Sequence, residues 1–159
     1  MMKNCFAIAV FSIIIVGCAP AIAHNNIADI SVEPLLQTDY MGGCGIAFFS
    51  TPPDHKPAIE VFRSDDWRPE GIMRIDGALV HPTLVDFQSH RQVAGKETVG
   101  DRYVSKWKEG TTEVTLNYRV TFVCPPNDDA CEVTRFEGAM TVKTGQKLRH
   151  FPIWGDSGC

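Results

Sequence analysis

The sequence predicts a mainly β protein: one antiparallel β-barrel or β-sandwich of about seven strands, stapled by two disulfides. Three observations carry that expectation. From Val114 to Phe122, the apolar residues Val114, Leu116, Tyr118, Val120 and Phe122 alternate with Thr115, Asn117, Arg119 and Thr121, the period of a strand with one buried and one wet face. Turn signals such as Asp76-Gly77, Glu109-Gly110-Thr111 and Thr144-Gly145 recur along the chain, and no segment keeps a 3.6-residue period over three turns. Of the six cysteines, Cys5 and Cys18 lie in an N-terminal leader. That leaves Cys44, Cys124, Cys131 and Cys159, an even set of the kind disulfides use outside the cytosol.

Residues 1–23 read as a secretory signal peptide. Lys3 is the only charged side chain before His24. An apolar run of 11 residues, Phe6 to Val16, is broken only by Ser12, and small residues with Pro20 follow. A positive start, a short apolar stretch and a small-residue end are the build of such a peptide. A bilayer-spanning helix needs roughly 20 apolar residues, so a lasting transmembrane anchor is not expected. A buried helix of the domain would show a polar face, and this run has none. Ala21-Ile22-Ala23 satisfies the A-x-A rule and places the mature start at His24. Ile15-Val16-Gly17-Cys18 also resembles a bacterial lipobox, with Val16 where Ala or Ser is commoner. That resemblance implies diacylglycerol on Cys18 and a membrane tether, stable only with two or more acyl chains. The two cuts stand as alternatives. On either, the chain is exported, as a periplasmic or secreted protein or as a lipoprotein.

Residues 24–41 read as a leader or tether, although Ile30, Val32, Leu35 and Leu36 give it the means to dock as an edge strand. Residues 42–159 read as a single β domain. Cys44 to Ser50 is apolar on both faces, as a central strand is, and Thr51-Pro52-Pro53-Asp54 ends it. Ala58 to Arg63 and Gly71 to Ile75 follow as strands. Asp76-Gly77 favours a type I′ hairpin turn into Ala78–His81, with Pro82 as a bulge or edge break. Thr83 to Gln92 fits either a strand or a short helix. Arg102–Lys108 is expected to pair with Glu113–Cys124, and Glu132–Lys143 to form a further strand with Phe136, Met140 and Val142 on one side.

The favoured disulfides are Cys124–Cys131 and Cys44–Cys159. The first closes the turn-rich loop Pro125-Pro126-Asn127-Asp128-Asp129-Ala130 and removes about 2.5 kcal/mol of unfolded-state entropy in the chain model. The second ties the first strand of the domain to Cys159, for about 4.8 kcal/mol by the same model.

The charge excludes one class of partner. Fifteen Lys and Arg against 19 Asp and Glu give a net charge of −4, with both signs mixed along the chain. Nucleic-acid binding requires a basic face, so no nucleic-acid partner is expected. Contact with a membrane is expected only through an N-terminal lipid.

Catalytic motifs are weak. Gly42-Gly43-Cys44-Gly45 would expose a nucleophilic thiolate, with His55, His81, His90 or His150 as base, but a disulfide at Cys44 removes that thiolate. The histidines show no metal-ligand spacing. Asn127-Asp128-Asp129 lacks the spaced acids of a calcium loop. Gly155-Asp156-Ser157-Gly158 lacks the frame of a serine nucleophile and reads as a flexible run-in to Cys159. No cofactor is implied, and an enzyme is not the favoured class. An acidic pair for hydrolysis is a matter of distance in space, which spacing in sequence does not reveal.

The aromatic residues Trp67, Tyr103, Trp107 and Trp154 are candidates for a binding platform. Tyr103 and Trp107 share one strand face, where core packing is the competing role. The G-x-W of the lipocalin first strand is absent. The expected function is therefore a non-catalytic binding or accessory domain of the cell envelope, with a protein or glycan partner. The alternatives are an exported hydrolase using Cys44 or an acidic pair, and a small carrier of apolar ligands.

Overall fold

The computed structural model describes residues 29–40, 43–52, 54–65, 68–128 and 130–158. These residues form ten strands and no helix: β1 (Val32–Glu33), β2 (Gly45–Phe49), β3 (Glu60–Asp65), β4 (Gly71–Ile75), β5 (Ala78–Val80), β6 (Thr83–His90), β7 (Arg102–Glu109), β8 (Thr112–Phe122), β9 (Val133–Thr144) and β10 (Lys147–Gly158). All pairings are antiparallel, in the order β1-β4-β3-β2-β10-β9-β8-β7-β6, with β5 on β4. The mainly β, antiparallel expectation therefore holds. The strand count and the closed barrel or two-layer sandwich are corrected: one sheet of ten strands is present, and its ladder is not closed.

The sheet curls until its two arms share a core. Phe48 on β2 meets Tyr118 on β8 with ring centroids 5.0 Å apart and planes at 65°. Tyr118 also meets Phe136 at 5.2 Å. Around these rings Phe62, Met73, Val114, Leu116, Met140, Val142 and Ile153 are almost wholly buried. Glycine permits a close backbone approach between β8 and β9. Gly138 lies opposite Tyr118, and a Cβ there would run into the Asn117 backbone oxygen. The ends of the sheet approach each other where Glu70 bridges Thr83. Gly71 N–H donates to the Pro82 carbonyl at 2.7 Å, and Leu84 N–H to the Pro69 carbonyl at 2.8 Å. Past Leu84, β6 has β7 as its one strand neighbour.

Local sequence explains most of the strands. The β4–β5 turn has Asp76 at φ 48° and Gly77 at φ 81°, the two positive values that a type I′ turn requires. Thr83–His90 is strand β6, which settles the strand-or-helix alternative. Strand β10 lies where the sequence suggested a loose run-in, because Pro152 and two glycines hide it. Pro152 pairs opposite Ala139 of β9, and β2 joins β10 only from Trp154 onward. At Pro152 the strand thus has a neighbour on one side only, where a missing N–H is tolerated.

The described part of the leader, residues 29–40, is docked on the sheet. Ile30 is 1 % exposed, and Val32 and Glu33 pair with Ile75 and Arg74. Asp39 takes two hydrogen bonds from Arg74, Nε to Oδ2 at 2.7 Å and Nη2 to Oδ1 at 2.6 Å. One disulfide has both ends among the described residues, Cys124–Cys131, with Cα atoms 5.5 Å apart. The Cys44–Cys159 pairing ends on a residue outside the described set, as do the signal peptide, Cys18 and Trp67.

Candidate functional site

A strand face turned to water is built by register as much as by composition. Cross-strand partners lie on the same face of a sheet. The pairings His90↔Arg102, Arg102↔Arg119, Arg119↔Glu137, Glu137↔Trp154, Trp154↔Phe49 and Phe49↔Glu60 therefore form one continuous outer row across β6, β7, β8, β9, β10, β2 and β3. A second row beside it runs Phe122, Arg135, Asp156, Ala47, Arg63.

Between these rows lies an open groove in two connected parts. One, of about 450 Å³, is lined by Arg102, Asn117, Arg119, Glu137 and Trp154. The other, of about 380 Å³, shares Glu137 and Trp154 and adds Phe49, Phe122, Arg135 and Asp156. Trp154 is half-buried at the junction.

Phe122 reaches this surface through a bulge. Val120 pairs with Phe136 and Phe122 with Arg135, so Thr121 is the extra residue. One extra residue reverses the side-chain alternation. The inward position expected for Phe122 is thereby corrected: it is 36 % exposed, with the Arg135 guanidinium 5.5 Å from its ring centroid. A bulge at Val61 likewise lets Phe49 pair with Glu60 on the outer face.

The charges in the groove are incompletely matched. Arg119 donates to Glu137 through Nε at 2.8 Å and through Nη2. Both side chains are substantially exposed, where such a pair stabilises by about 0–1 kcal/mol. Arg102 stands directly opposite Arg119 and has no carboxylate partner among the described residues. Like charges at opposed positions destabilise a sheet. The Asn117 amide and the Trp154 indole N–H also make no hydrogen bond among the described residues. Burial raises the Asp156 carboxyl above its usual range, against the opposing pull of Arg135 and Arg63.

A second polar cluster holds the docked leader at the far end of the row. Tyr40 Oη donates to Glu60 Oε2 at 2.9 Å, and the Arg63 guanidinium lies 4.7 Å from the Tyr40 ring centroid. Arg63 also donates to the Gly43 carbonyl at 2.7 Å. Its contacts with Glu60 Oε1 and Asp65 Oδ1 are both 3.6 Å, too long for hydrogen bonds. Burial raises the Glu60 carboxyl, with Tyr40 and Arg63 acting against that rise. This carboxylate is thus committed to its neighbours.

The four aromatic candidates separate. Tyr103 is 3 % and Trp107 6 % exposed, both in the core. Tyr103 Oη donates to Glu97 at 2.7 Å, and burial with that carboxylate pushes its hydroxyl up to about 12. Trp107 Nε1 donates to Ser105 at 2.9 Å. Trp67 lies outside the described residues, which leaves Trp154 in the groove.

Cys44, the candidate nucleophile, is disulfide-bonded. The candidate bases lie on different elements: His55 in the turn after β2, His81 between β5 and β6, His90 at the end of β6, and His150 on β10 beside Thr141. Among the described residues no three His, Cys, Asp or Glu side chains are placed to hold a metal ion. A further cleft of about 530 Å³ opens where the ladder fails to close, lined by Ile46, Leu84, Phe87 and Trp107 with Ser64 and Arg68 at its edge.

Neither a family model nor a curated protein nor a solved structure matches this chain.

Proposed function

We propose that this chain is an exported, non-catalytic binding domain of the cell envelope, and that its contact surface is the outer groove centred on Trp154. The observation that carries the reading is the composition of that groove. Trp154, Phe49 and Phe122 offer apolar faces to water beside Arg102, Arg119, Arg135 and Asn117. An aromatic anchor with a few convergent polar groups is how protein surfaces hold a glycan or a protein partner. A disulfide at Cys44 removes the thiolate that a cysteine hydrolase would need.

The test is a titration of the 15N-labelled domain with soluble envelope glycans and purified envelope proteins, following the indole signals. A true ligand shifts the Trp154 indole resonance, and Trp154→Ala abolishes its binding without unfolding the domain. Ligands that bind with Trp154 unperturbed would overturn the reading.

The cleft at the open seam favours a second reading, a carrier of small apolar ligands. Its volume falls in the range of ligand pockets, and Phe87 is 51 % exposed beside it. Binding of a fluorescent apolar probe that is lost in Phe87→Ser would support that alternative.

A further inference from the structure

Arg102, a groove arginine without a carboxylate partner among the described residues, bears on the chemistry of the ligand. Resting on the proposed function above, we infer that the groove takes a carboxylated oligosaccharide, with its carboxylate between Arg102 and Arg119 and a sugar ring laid against Trp154.

Three observations carry this. Arg102 and Arg119 are directly opposed across β7 and β8, and of the two only Arg119 has a carboxylate neighbour among the described residues, Glu137. Like charges at opposed positions are unfavourable in a sheet, and within the described residues Arg102 has no carboxylate to offset its part of that cost, whereas Arg119 has Glu137. A bound carboxylate relieves that repulsion and takes charge-assisted hydrogen bonds from Arg102. The groups beyond the arginines fit a polyol: the Asn117 amide offers both a donor and an acceptor, and the Trp154 indole offers a flat apolar face with an N–H that has no partner among the described residues.

The topology separates a saccharide from an acidic peptide. An extended peptide gains affinity by adding to a free strand edge. Around Arg102, Asn117, Arg119, Glu137 and Trp154, strands β7, β8, β9 and β10 are paired on both sides, and β8 loses its β7-side neighbour only past Val120. Among the described residues no backbone edge faces this part of the groove, so recognition there falls to side chains, which suits a ligand rich in hydroxyls.

The experiment titrates the full exported chain with tri-galacturonate, with its uncharged methyl ester and with penta-glutamate. Wild type, Arg102→Gln and Trp154→Ala are compared by calorimetry and by the Trp154 indole signal. Tri-galacturonate is expected to bind, the ester and Arg102→Gln each to weaken binding about tenfold, and Trp154→Ala to abolish it. Because Arg102 faces a like charge, Arg102→Gln is expected to leave the melting temperature unchanged or higher, which separates lost recognition from lost folding. Equal affinity for acid and ester would overturn the anionic ligand and leave the groove reading intact. Preferential binding of penta-glutamate at Trp154 would overturn the saccharide and also leave the groove intact. Failure of all three probes overturns the inference, whereas the groove reading falls only if envelope ligands bind without perturbing Trp154.

Discussion

The rings of Phe62 and Trp107 meet edge to face, with centroids 5.2 Å apart and planes at 64°. Their strands, β3 and β7, are five steps apart in the ladder. In a flat sheet with strands 4.7–4.9 Å apart they would sit about 24 Å from each other. This contact joins the two arms of the curled sheet directly. Phe62→Ala is expected to cost about 3–5 kcal/mol, read as a lower urea midpoint together with altered Trp107 emission.

Acid should loosen the docked leader. Arg74 and the Leu36 N–H hold the Asp39 carboxyl down to about 2, from the usual 3.8. The unfolded chain therefore binds this proton before the folded one does. The stabilisation is complete above pH 3.8 and is lost as the pH falls through about 2. Asp39→Asn should remove this component of the acid sensitivity, as measured by urea midpoints across that range.

The loop between β6 and β7 hangs on one carboxylate. Asp101 accepts from Gln92 N–H at 2.7 Å, Thr98 N–H at 2.8 Å and Thr98 Oγ1 at 3.0 Å. Its backbone meanwhile accepts from Val120 N–H at 2.9 Å. Asp101→Ala should leave β7 and β8 intact and raise hydrogen exchange at Gln92 and Thr98 by an order of magnitude or more, since each amide loses its acceptor.

The covalent frame is testable by mass. The mature protein from its own host is expected to begin at His24 and to resist alkylation without reduction. A non-reducing digest is expected to link Cys124 with Cys131 and Cys44 with Cys159. The Gly45↔Gly158 pairing brings the chain on either side of the second bond together. A start at Cys18 carrying acyl chains would place the protein on a membrane instead. Replacing Cys124 and Cys131 by Ser should cost about 2.5 kcal/mol.

Much of the fold was legible because it is local. The alternation through Val120, the Asp76-Gly77 turn and the short Cys124–Cys131 loop each depend on neighbours in sequence, which constrain the backbone whatever surrounds them. They determined an antiparallel β domain, most of its strands and the wet face holding Asn117 and Arg119. Tertiary structure decided the rest. Strand β10 carries Pro152, which is tolerated only because β2 ends short of it. Phe122 turns outward only because Thr121 bulges against β9. Tyr103 and Trp107 are core residues because the sheet curls over them, whereas Trp154 stays at the surface on a strand of mixed pattern. The groove brings together residues from five strands, β2, β7, β8, β9 and β10. Its membership follows from register and curl, and these are set by the balance of packing over the whole sheet rather than by any one segment.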